Sequence, residues 1–154
     1  MPDIAARLAE LGLGLPAAPA PLATYLPALL TGPVLLVSGQ LPLQDGRLIS
    51  TGKLGAAVTE AEGVAAARQA FLNVLAQARA ALGGDLGRLR RLLRLGGFIA
   101  CLPGFTGQAR VMNGASDLAV QIMGEAGRHV RSTIGVASLP NDAPVEIEAM
   151  FEIA

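Results

Sequence analysis

A chain of 154 residues with twelve basic and twelve acidic side chains has no net charge, so no overall field draws it to nucleic acid or an anionic membrane. The length fits one domain, 1–154, with a real hydrophobic core. With 52% hydrophobic and 16% charged residues and no Trp, the composition is apolar for a soluble monomer, which points to burial between subunits.

The single cysteine, Cys101, excludes an intrachain disulfide and suits a reducing compartment. Its plain reading is a small buried hydrophobe at a strand end. No run reaches the ~18 apolar residues of a membrane helix. Asp3, Arg7 and Glu10 recur at helical spacing without a signal-peptide pattern, so a cytoplasmic protein is expected. Asp3 can cap a short helix within 1–14 whose apolar face is Ile4, Leu8 and Leu11, closed by Gly12 or Gly14. Residues 15–32 read as a Pro-rich extended lead-in, with Pro16, Pro19, Pro21 and Pro27 delivering Tyr25 to a defined place. Val34 to Val37 is a short apolar strand continued by Leu41 and Leu43. The turn Gln44-Asp45-Gly46 and the return through Arg47, Leu48 and Ile49 predict a hairpin.

Thr59 and Glu62 form a capping box ahead of a helix with Val64, Ala67, Phe71, Leu75, Ala78 and Leu82 on one face, stopped by Gly83-Gly84. The stretch 86–100 is ambiguous. Its leucines and arginines 88, 90, 91 and 94 give a helical count, whereas Gly96-Gly97 and Phe98-Ile99-Ala100-Cys101 look extended. Those arginines could bind phosphate, but without interleaved aromatics a solvated face is the plainer account. After the loop Pro103 to Gly107, a second helix from about Ala109 to Met123 buries Val111, Ala115, Leu118 and Ile122, and Gly124 and Gly127 end it. His129 has no second ligand at metal spacing, so no metal site is expected. Residues 131–150 read as two paired strands around Leu139-Pro140-Asn141-Asp142, with Val145, Ile147, Ala149, Phe151 and Ile153 alternating with Glu146, Glu148, Met150 and Glu152. The order is α+β, with two helices on one face of a mixed sheet.

The segment Arg131-Ser132 through Val136-Ala137, Leu139-Pro140 and Val145-Glu146-Ile147-Glu148-Ala149 resembles the C-terminal signature of the RidA/YjgF family of enamine and imine deaminases. Tyr25 behind its prolines, Ser38-Gly39-Gln40-Leu41-Pro42, Asn73 and Val111-Met112-Asn113 extend the match over roughly 15–150, in what looks like a longer branch of the family. The resemblance implies a strand over 86–100, a chorismate-mutase-like fold and a homotrimer with clefts between neighbours, Tyr25 of one copy and Arg131 of the next sharing each cleft. It further implies that Arg131 anchors the carboxylate of a short 2-imino or enamino acid and that Glu146 activates the attacking water, with no cofactor.

Each residue also has a plainer role. A guanidinium matches a carboxylate with two parallel charge-assisted bonds, yet Arg131 could equally be ion-paired to Glu146 or Glu148. Glu146 could be one more exposed strand glutamate, and Tyr25 a rim-packing side chain. Ser38 and Gly39 sit where the strand is expected to end, and glycine there permits close approach to a ligand. Asn113 is a second polar wall or a helix cap. Thr133 stands where the resembled deaminases often carry cysteine. Gly135 stands where they often carry glutamate, which removes an acid and is expected to enlarge the pocket. The leading expectation is hydrolytic deamination; the rival is a non-catalytic trimer binding small keto or amino acids. Ribonuclease activity is disfavoured by zero net charge and a single histidine.

Overall fold

The computed structural model describes residues 3–154; Met1 and Pro2 lie outside the described residues. Helix α1, Ile4–Glu10, is capped by Asp3, whose carboxylate accepts the Ala6 N–H at 2.9 Å. Its buried Ile4 and Leu8 fix it to the domain. Helix α2, Glu60–Ala81, starts at the expected capping box, with Thr59 and Glu62 each bonded to the other's backbone N–H. Its middle is buried on every side from Ala70 to Ala78, not along one stripe. Helix α3, Gln108–Met123, lies against it, and Gly114 makes this possible because a Cβ there would overlap the Val64 carbonyl.

The strands are β1 (Ala28–Thr31), β2 (Val34–Gln40), β3 (Leu43–Gln44), β4 (Arg47–Leu48), β5 (Leu89–Ala100), β6 (Val130–Val136) and β7 (Val145–Ile153). Five of them form one sheet in the order β1-β2-β7-β5-β6, in which β5 and β6 run parallel and the other pairs antiparallel. Alternation sends Val145, Ile147, Ala149, Phe151 and Ile153 into the core beneath α2 and α3. The opposite face carries Leu36, Phe98, Ile134 and Met150 around an Arg94–Glu148 ion pair of 3.0 Å, and no helix packs over it among the described residues. The mixed α+β sheet with two main helices on one face is as expected, and 86–100 is a strand preceded by one 3-10 turn, Leu86–Arg88.

The extended Pro-rich lead-in ends in a strand that the sequence reading did not assign, since β1 pairs with β2 around Gly32-Pro33. Gly32 takes a φ of 54° and proline supplies the fixed negative φ that follows, the combination a two-residue hairpin takes. Asp45-Gly46 does turn a hairpin, but it joins only β3 and β4, a separate two-stranded ribbon. The strands carrying Arg131 and Glu146 are not paired either: β5 lies between β6 and β7, so the turn at Pro140–Asp142 is a crossover.

Candidate functional site

The expected site residues fall into two groups. Arg131 and Thr133 point from β6 toward α3, on the helix-covered side of the sheet. Arg131 Nη1 donates to Ser116 Oγ at 2.9 Å and Nη2 to the Ala109 carbonyl at 3.1 Å. Ala109, Asn113 and Ser116 recur at helical spacing, so exposed Asn113 shares the face of α3 that the guanidinium leans on. Asn113 sits inside α3, so neither a helix start nor a cap describes it. Among the described residues no carboxylate lies within ion-pair distance of Arg131, and Glu148 is taken by Arg94, which removes the ion-pair reading. The Thr133 hydroxyl is buried without a partner.

Glu146 projects from β7 on the open side, in register with Phe98 of β5, which is itself in register with Ile134 of β6. Two strand spacings, roughly 10 Å, and the thickness of the sheet separate it from Arg131 of the same chain. Between Val37 and Gln40, β2 carries one residue more than β7 opposite it. The bulge brings Gly39 against the Glu146 carboxylate, and a Cβ at 39 would overlap Glu146 Oε1. The close approach that glycine permits is therefore to Glu146, and β2 continues past Ser38 and Gly39 to Gln40. Burial raises the Glu146 carboxyl above its ordinary value, and the nearby Glu148 charge adds to the rise.

Glu146 borders a cavity of about 370 Å³ whose other walls include Leu22, Tyr25, Pro27, Leu41 and Pro140. Side chains fasten the Pro-rich strap over it. Gln77 donates to the Pro19 carbonyl at 2.6 Å, Arg79 to that of Pro16 at 3.1 Å, and Ser38 Oγ to that of Leu26 at 2.6 Å. Ser38 thus holds the strap, and its hydroxyl hydrogen is already engaged. Gln40, named in the sequence only as part of the matching segment and given no role, and Gln77, absent from it, are buried among these contacts. Only their burial reveals them; nothing in their spacing does.

Gly135 does not enlarge a pocket in the way expected. An added Cβ would lie 2.8 Å from Cys101 Sγ and 3.0 Å from Gln108 Nε2, so those side chains already fill the space. Together with Lys53 and Phe105 they line a hollow of about 540 Å³ at the end of β6. Among the described residues no cluster of three or more His, Cys, Asp or Glu could hold a metal, and no helix is long and apolar enough to cross a membrane.

Comparison with known proteins places this geometry. Protein TCP17 of Trypanosoma cruzi is 48% identical over 151 residues, 97% of this chain and 94% of that protein. A protein of unknown function from Agrobacterium tumefaciens superposes with a TM-score of 0.92 at 47% identity, covering 98% of this chain and 92% of its own. RidA from an Antarctic Psychrobacter shares the fold at a TM-score of 0.63 and 28% identity, over 88% of this chain and 94% of its own. Residues 5–148 match the family described as "YjgF/chorismate mutase-like, putative endoribonuclease". The chain belongs to this YjgF/RidA-like family.

Proposed function

We propose that the protein is a cofactor-free deaminase that hydrolyses small 2-imino or enamino acids in clefts between the copies of a homotrimer in the cytoplasm. Arg131 of one copy clamps the carboxylate. Glu146 of its neighbour, beside Tyr25, accepts a proton from water as the oxygen adds to the C=N carbon. The nitrogen is protonated and leaves as ammonia, and a 2-keto acid remains. An enamine is first protonated at carbon to give the imine. Such imines hydrolyse readily, so orientation and modest electrostatic help suffice.

The observation that carries this reading is the split between the two groups. A guanidinium without an acid stands at one sheet edge, and a carboxylate made more basic by burial stands over a cavity on the other side of the sheet. A second copy is what would unite them. The uncovered sheet face, with Ile134 at 52% and Leu29 at 48% exposure, supplies apolar surface for that copy to bury. The test is release of ammonia and keto acid from an imine generated by a dehydratase, with Arg131→Ala as control; no acceleration by the wild type ends the proposal.

A non-catalytic trimer holding small carboxylates is the second reading, favoured by the carboxamide of Gln108 filling the space at Gly135 where an acid could have stood. Escherichia coli TdcF, alike in fold at 24% identity, was solved with bound serine, which makes serine a natural probe beside keto acids. Binding without turnover would select this reading. RNA cleavage is not favoured, because both nitrogens of His129 are engaged by Gly127 and Ser116.

A further inference from the structure

Ser116 Oγ lies 2.9 Å from Arg131 Nη1 and 3.0 Å from His129 Nε2, and His129 Nδ1 lies 2.7 Å from the Gly127 carbonyl. A carbonyl only accepts, so Nδ1 carries the hydrogen. In the neutral ring Nε2 is then an acceptor, and Ser116 must donate to it. With its one hydrogen so engaged, Ser116 receives from Arg131, which only donates. Every link points the same way, from guanidinium to carbonyl, and bonds in such a chain polarise one another. The far end is rigid: Gly127 is buried, and a Cβ on it would overlap the Ala119 carbonyl of α3.

We propose that Ser116 and His129 are positioning residues for Arg131, a one-way relay that fixes the Nη1 edge of the guanidinium and leaves the N–H groups that neither Ser116 nor the Ala109 carbonyl takes to the ligand's carboxylate. The inference rests on Arg131 being the anion anchor. The relay requires a neutral imidazole. Burial depresses the His129 pKa, the Gly127 hydrogen bond opposes this, and the Arg131 charge adds to the depression. Arg131 faces the ring from β6 and Ser116 from α3, while on the preceding turn Glu125 and Arg128 pair with each other at the surface. Protonation would make Nε2 a donor as well. Ser116 would then face two donors with its own hydrogen unpartnered, and the relay would break at its middle.

Two-bond proton–nitrogen NMR of the ligand-free protein reads the relay directly. The expected result is a neutral Nδ1–H ring near pH 7 that titrates below 6.5, with Arg131→Gln raising its pKa by removing a neighbouring positive charge. A ring that is Nε2-protonated or charged near pH 7 overturns the relay. Calorimetry with 2-oxobutyrate reads the positioning. Ser116→Ala and His129→Phe each weaken binding by about five- to tenfold, the value of one hydrogen bond. Ser116→Thr and His129→Gln recover most of that loss, because each restores the missing hydroxyl or acceptor. Binding that depends on Arg131 but not on Ser116 or His129, or losses that the conservative variants do not recover, overturns the positioning role alone. Failure of 2-oxobutyrate to bind, or equal binding by Arg131→Gln, overturns the anchor and the positioning role together, and the NMR titration then still decides whether the relay exists.

Discussion

The Arg131 edge and the Glu146 cavity are built by opposite means. At the edge, side chains and carbonyls of α3 hold a permanent charge in a polar, half-exposed setting. At the cavity, a backbone bulge and a proline strap shield a half-buried carboxylate from part of its water and offer it apolar walls. The first arrangement keeps a cation oriented without neutralising it. The second makes an acid more basic by taking its solvent away. One chain thus carries the carboxylate and the guanidinium on opposite faces of its sheet, and a second chain is needed to bring the two together.

The largest effect should come from breaking the assembly. Ile134→Asp places a charge on the uncovered face, and light scattering should show the proposed trimer of the wild type replaced by folded monomers, with the proposed deaminase activity lost; a trimer that persists in the variant would mean that this face is not the interface. Next in size is the anchor. Arg131→Ala should weaken carboxylate binding about a hundredfold or more by calorimetry, because a charge-assisted pair is lost. Refolding equal amounts of Arg131→Ala and Glu146→Gln chains together should restore about a quarter of the wild-type activity, since random neighbours in a ring then build some intact clefts. No recovery would place both residues in one chain's site.

Smaller effects sharpen the cavity half. Gly39→Ala should slow turnover about tenfold with little change in affinity, because displacing a group by a fraction of an ångström costs orientation; an unchanged kcat would remove Glu146 from the reaction. The smallest effect is on stability. The folded pKa of Glu146 is raised, so ionising it costs the fold stability as the pH rises past the ordinary glutamate range toward that raised value. Glu146→Gln should therefore raise the Tm by a degree or two near pH 7, an advantage that fades below about pH 4.3, where both states are protonated. His129 carries the reverse sign: its depressed pKa contributes stability above 6.5 that is lost as the pH falls toward the folded value.

Much of this was readable from short stretches of chain. The capping box at Thr59 and Glu62, the Asp45-Gly46 turn and the alternation after Val145 each need only neighbours within a few residues, and each formed as expected. Arg131 and Glu146 stand out in the sequence by residue type beside a turn, but the roles expected of them come from the family resemblance, not from spacing. The hairpin of β1 and β2 has a local signal too, Gly32-Pro33, a pair whose turn geometry needs no distant contact.

What the chain order could not disclose was which strands meet. Inserting β5 between β6 and β7 puts Arg131 and Glu146 on separate strands and opposite faces, although only fourteen positions separate them in sequence. The bulge that presses Gly39 onto Glu146 and the filling of the Gly135 space by Cys101 and Gln108 follow from the same packing. So does the bonding of His129 and Ser116 behind the guanidinium. Caps, turns and alternation are set by interactions between near neighbours, whereas sheet order and the hydrogen bonds that aim a side chain depend on contacts between residues far apart in the chain.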